Sequence, residues 1–114
     1  MPRRRFAAAA ALAAALGLPA LIPATAPAAA VKRCGSIAFT PQSDDGVFGI
    51  RARGVGCRTA RRVARASRPY GVSDEPYRYS ARGFACRGTL RDTALPTVRW
   101  RCTREESVVR FDRS

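Results

Sequence analysis

The chain has no histidine and no asparagine, one lysine among 21 basic residues, and only 8 acidic residues. Without histidine there is no Ser-His-Asp or Cys-His nucleophile arrangement and no imidazole to hold a metal. The four cysteines are spaced 23, 29 and 16 residues apart, so no C-x-x-C knuckle exists for a four-cysteine zinc site. No glycine-rich phosphate loop has the required spacing. Scarce acids leave Asp44-Asp45, Asp74-Glu75 and Glu105-Glu106 as the only candidates for a two-carboxylate hydrolase. All three pairs lie in turn-forming stretches, where carboxylates are ordinarily solvated. The expectation is a protein that is not an enzyme and needs no cofactor or metal.

What is present begins with a leader. Arg3-Arg4-Arg5 precede an uncharged run from Phe6 to Leu18, then Pro19, Pro23 and Pro27, then Ala28-Ala29-Ala30. A basic start, an apolar stretch and small residues at the −3 and −1 positions are the parts of a secretory signal. Residues 1–30 are therefore expected to be a signal peptide cleaved before Val31, with cleavage after Ala26 or Ala29 as alternatives. A retained anchor competes with this reading, because Phe6 to Val31 is long enough to span a bilayer. Its proline-punctuated, alanine-rich second half would hold a membrane weakly, so no stable transmembrane anchor is expected. Arg4-Arg5-Phe6 keeps twin-arginine export open beside the general route. Lys32-Arg33 before Cys34 removes a lipoprotein site. The localisation expected is extracellular or wall-associated.

Residues 31–114 then form one domain of 84 residues. A chain of that length buries only about 60–65% of its unfolded surface. Four cysteines in a small exported chain read as two disulfides, each contributing roughly 2–4 kcal/mol. Setting aside Arg3, Arg4 and Arg5 leaves 18 basic against 8 acidic residues, a net +10. The alanine excess and missing asparagine point to a GC-rich genome, so codon usage accounts for part of the arginine content. It does not account for the acid deficit.

Ile37-Ala38-Phe39 reads as a first strand, and Pro41 to Gly46 as a turn cluster. From Val47 to Arg53, alternation puts Phe48, Ile50 and Ala52 on one side and Arg51 and Arg53 on the other. A helix is expected from Cys57 to Ser67. Its Cys57, Ala60, Val63, Ala64 and Ser67 share one arc, while Arg58, Arg61, Arg62, Arg65 and Arg68 share the opposite one. Tyr77 to Cys86 reads as one strand with Gly83 at a bulge, and Gly88 to Pro96 as a connection. Val98, Trp100 and Cys102 alternate with Arg99 and Arg101, and Val108 to Phe111 closes the sheet with Val109 and Phe111 inward. A right-handed crossover through the helix would make its flanking strands parallel. The expected fold is α+β: one helix packed on a four- to five-stranded mixed sheet, with two disulfides. In that layout Cys57 and Cys86 lie at the same end of the sheet. Pairing Cys57 with Cys86 and Cys34 with Cys102 is then the expectation, among the three pairings four cysteines allow.

The segment Ile50-Arg51-Ala52-Arg53-Gly54-Val55-Gly56-Cys57, with Ala60-Arg61 and Val63-Ala64, resembles a recurrent type of small secreted actinobacterial protein. Gly83-Phe84-Ala85-Cys86, Val98-Arg99-Trp100-Arg101-Cys102 and Val108-Val109-Arg110-Phe111 continue the resemblance over most of residues 47–112. It implies a scaffold and export and carries no activity. Gly56 departs from the type at a position where a serine helix cap is common.

The helix arginines Arg58, Arg61, Arg62, Arg65 and Arg68 form the candidate anion-binding face, set against the alternative of a merely solvated one. Arg51, Arg53, Arg99 and Arg101 form a second basic group. Guanidinium forks suit phosphate and carboxylate alike, so an anionic cell-envelope polymer and an acidic protein both fit. The tyrosines make no stacking platform, and nucleic acid is not the expected partner. A monomer is expected. A secreted protease inhibitor is the alternative function, presenting an arginine from the loop Ser67 to Pro76 or Arg87 to Pro96.

Overall fold

A computed structural model describes residues 30–91 and 94–114. The expected signal peptide, apart from its last residue, lies outside these residues. Six strands make one antiparallel sheet: β1 (Lys32–Ala38), β2 (Gly46–Arg53), β3 (Arg78–Ala81), β4 (Phe84–Arg91), β5 (Thr97–Arg104) and β6 (Ser107–Arg113), in spatial order β1-β2-β6-β5-β4-β3. One helix, α1 (Cys57–Arg65), lies between β2 and β3 in the chain. The α+β class with two disulfides stands, but the sheet has six strands and every pairing is antiparallel. The expected parallel crossover does not form. After α1 the chain runs past the whole sheet to its far edge, and β6 takes the place beside β2.

Two local features account for the extra strand and for one inverted side chain. The stretch from Tyr77 to Cys86 is a hairpin, turned at Arg82 (φ 52°) and Gly83 (φ 82°) with Ala81 opposite Phe84. Two consecutive left-handed residues match the twist of the strands they join. In β2, Gly49 (φ 62°) marks a bulge, where the pairing jumps from Phe48↔Asp112 to Arg51↔Arg110. The extra residue turns Val47 and Ile50 inward and leaves Phe48 40% exposed. The expectation that Phe48 packs inward is corrected accordingly. The segment Gly88 to Arg91, expected as a connection, continues β4.

The core lies on one side of the sheet. Ile50, Ala52, Val109, Phe111, Trp100, Val98, Phe84 and Tyr79 are buried there. Over β1, β2 and β6 they are covered by α1, whose Ala60, Val63 and Ala64 are buried to 0% exposure. Small side chains let the helix backbone approach closely. Ser67 is also fully buried, its hydroxyl donating to the Ala64 carbonyl at 2.6 Å and closing the end of the helix. Gly56 caps the other end with extended backbone and no side-chain bond.

Over β3, β4 and β5 the cover is aromatic. Tyr70 stacks on Tyr79 at 5.2 Å, and Tyr77 and Tyr79 meet Trp100 edge-on at 6.5 and 4.9 Å. Gly88 opens the space for that cluster, since a Cβ there would sit 2.5 Å from the Val98 Cγ1. The Tyr79 hydroxyl donates to the Val63 carbonyl at 2.7 Å, tying the aromatic half to the helix half. Burial raises the Tyr79 pKa well above the ordinary tyrosine value, with Tyr70 adding to the shift.

The disulfides are Cys34–Cys57 and Cys86–Cys102. This replaces the expected Cys57–Cys86 and Cys34–Cys102 pairing. Cys86 and Cys102 face each other directly across β4 and β5, whereas Cys34 on the edge strand β1 reaches the first residue of α1. The expected pairing assumed that β2 and β3 were neighbours, and they stand at opposite sides of the sheet.

Candidate anion-binding face

Among the described residues, no second layer covers the face of the sheet away from α1. An antiparallel sheet tolerates this when its outward positions are polar, and most of the alternating residues here are, with Phe48, Ala85 and Val108 as the exceptions. Their register is the informative part. Arg33 of β1 is opposite Arg51 of β2, Arg51 is opposite Arg110 of β6, and Arg110 is opposite Arg101 of β5. Arg101 is opposite Arg87 of β4, and Arg87 is opposite Arg78 of β3. One arginine from every strand therefore joins a single row across the sheet, and all six are exposed. With strands about 4.8 Å apart, the row is about 24 Å long.

The flanks of this row are nearly neutral. On one side lie Val108, Thr103, Ala85 and Ser80, ending in Arg53. On the other lie Thr89, Arg99 and Asp112, ending in the exposed Phe48 of β2, and Arg99 donates from Nε to Asp112 at 3.1 Å. Asp112 thus neutralises Arg99 and leaves the row itself without a carboxylate. Among the described residues, none of the six row guanidiniums has a hydrogen-bond or ion-pair partner. The middle of the row borders a shallow concavity of about 650 Å³ between Arg51, Arg110, Arg101 and Arg87.

The helix arginines fare differently. Arg61 donates to the carbonyls of Cys34 at 2.8 Å and Ser36 at 3.2 Å, fastening α1 to β1. Arg68 lies over the Phe39 ring at 5.7 Å, and its own carbonyl accepts from Arg113 at 2.9 Å. Arg58, Arg62 and Arg65 stay exposed. Arg62 and Arg65 occupy the last turn, where the helix dipole favours cations. The face expected as one set of five therefore divides: Arg61 is structural, Arg68 is exposed but set over Phe39, and Arg58, Arg62 and Arg65 are exposed cations. Of the second basic group, Arg51 and Arg101 belong to the row, Arg99 is ion-paired and Arg53 stands at its margin.

The row holds four residues that sequence reasoning did not single out: Arg33, Arg78, Arg87 and Arg110. Arg78, Arg87 and Arg110 sit between apolar or small neighbours, which was the available signal, whereas Arg33 follows Lys32; membership in one row depends on pairing between distant strands.

The acidic pairs do not converge. Asp45 accepts from the buried Arg113 guanidinium at 2.7 Å, and an Asp74 carboxylate oxygen accepts the Gly71 backbone N–H at 2.6 Å. Glu105 and Glu106 form the β5–β6 turn. No group of three or more Cys, Asp or Glu side chains suited to a metal occurs among the described residues. Nor does any helix among them have the length and apolarity to cross a membrane. No family model matches the chain, and no curated protein or solved structure matches it.

Proposed function

We propose that this is an exported, non-catalytic binding domain that holds an anionic polymer of the cell envelope on the open face of its sheet. The observation that carries the reading is the six-arginine row. Like charges directly opposite one another on neighbouring strands destabilise a sheet, and five such pairs occur here in succession. A face that only needed solvation would be served by mixed signs at no such cost. A binding face accepts the cost because its anionic partner offsets it. The leader supports export, the two disulfides suit an oxidising space, and the net +10 of residues 31–114 supports a polyanionic target.

Retention of the disulfide-bonded protein on an immobilised envelope polyanion, eluted with salt, tests the reading. Replacing Arg51, Arg101 and Arg110 by glutamine is expected to move elution to much lower salt. Replacing Arg58, Arg62 and Arg65 in the same way is expected to move it far less. Failure of the parent protein to be retained at low salt overturns the proposal.

A further inference from the structure

The shape of the basic face says more about its ligand than its charge does. The six arginines make a stripe one residue wide and six strands long, bordered on both sides by residues of little net charge. Such a stripe matches a ligand whose charge is also linear. A strand turns by about 20–25° relative to its neighbour, so the two ends of a six-stranded row differ in direction by roughly 100–125°. A flat bilayer therefore meets only part of the row, whereas a flexible chain follows the twist.

The aromatic residues discriminate further. Tyr79, Phe84, Trp100 and Phe111 are all buried on the helix side; the row itself holds no ring, and the flank offers only Phe48, at its β2 end opposite Asp112. Sheet proteins that read single-stranded nucleic acid stack two or three bases on aromatics of the open face, more than this lone ring supplies. Here hydroxyl groups flank the arginines instead: Thr89 and Thr103 stand two residues either side of the Arg87–Arg101 pair. Arginine with neighbouring threonine is a common donor set for phosphate oxygens.

Resting on the proposed function, we infer that the ligand is an unbranched phosphodiester polymer with polyol spacers and no bases, lying across the strands along Arg33, Arg51, Arg110, Arg101, Arg87 and Arg78. Arg51, Arg110, Arg101 and Arg87 grip its central phosphates, and the two edge arginines meet the chain where the sheet turns away.

The experiment measures affinity of the disulfide-bonded protein for poly(glycerol phosphate) oligomers of increasing length. Affinity is expected to climb steeply until the oligomer spans about 24 Å and to rise only slowly beyond. Counterion release gives about −0.7 in log K against log salt for each charge neutralised on a flexible strand. Six contacts then predict a slope near −4, or about a 300-fold loss between 50 and 200 mM salt. Replacing Arg51, Arg101 and Arg110 by glutamine is expected to halve that slope to about −2, while replacing Arg58, Arg62 and Arg65 leaves it near −4.

Oligothymidylate, polyglutamate and phosphatidylglycerol vesicles, matched in total charge, complete the comparison. Each is expected to bind more weakly than the polyol phosphate. Equal or tighter binding of any of them, or affinity independent of oligomer length, overturns this inference and leaves the broader proposal standing. Failure of every polyanion to bind overturns both.

Discussion

Replacing Arg101 by glutamine is expected to raise stability while weakening polyanion binding, and both signs come from one geometry. Arg101 faces Arg110 on one neighbouring strand and Arg87 on the other. Side chains directly opposite have their Cβ atoms about 4.5–5.5 Å apart, and flexible guanidiniums spread to about 6 Å. At that distance two unit charges repel by about 0.7 kcal/mol in water. A Debye length of about 8 Å at physiological salt halves this. Two neighbours therefore give a gain of about 0.7 kcal/mol on removing Arg101, worth about 3–5 °C in a domain of this size. Arg78, on the edge strand, has one row neighbour and is expected to yield half as much. Thermal unfolding of both glutamine variants and the parent, at 0.15 M and 1 M salt, tests the reasoning. The gain should be twofold larger at Arg101 and nearly vanish at 1 M, where the Debye length is about 3 Å. A loss of stability at Arg101, equal gains at both positions, or a gain indifferent to salt would refute it.

Three further outcomes follow from the core. Because the Tyr79 pKa is raised in the folded protein above the ordinary 10.0, the unfolded chain releases this proton first as pH rises. Stability is therefore complete below pH 10 and falls above it, by up to about 1.4 kcal/mol per pH unit. Tyr79→Phe is expected to flatten that fall in urea titrations at alkaline pH and to lower stability at neutral pH by about 1–3 kcal/mol, by leaving the Val63 carbonyl unpaired. Gly88→Ala places a methyl against Val98, Tyr77 and Trp100; a loss of about 1–3 kcal/mol is expected, with a changed tryptophan emission. Replacing Cys86 and Cys102 together by alanine is expected to cost about 3 kcal/mol by the chain-entropy argument, measured by urea unfolding with Cys34–Cys57 intact.

Local pattern carried much of this structure. The arc of Ala60, Val63, Ala64 and Ser67 predicts the buried side of α1, and the alternation around Trp100 and Phe111 predicts the inward faces of β5 and β6. Those features depend on residues a few positions apart. The misread features depend on conformation or distance. Arg82 adopts a left-handed conformation that its side chain does not advertise, so the β3–β4 hairpin looked like one strand. The bulge at Gly49 reversed Phe48 within an otherwise regular alternation. The insertion of β6 beside β2 is a long-range pairing, and the disulfides follow from it. The same limit applies to the candidate face. Arg51 and Arg101 were visible as outward cations, but only the register of five strand pairs lines them up with Arg33, Arg110, Arg87 and Arg78. The helix arginines looked like the stronger set because they are adjacent in the chain. Arg61 and Arg68 proved to be engaged with the carbonyls of β1 and with Phe39.

The open sheet face, rather than the helix, is the proposed place where an anion is held. Arginine Nε–Hε resonances recorded while poly(glycerol phosphate) is titrated into the labelled protein test this most directly. The signals of Arg51, Arg87, Arg101 and Arg110 are expected to shift together and to return as salt is raised, with those of Arg58, Arg62 and Arg65 nearly stationary. Shifts concentrated on the three helix arginines, with the sheet row unmoved, would contradict it.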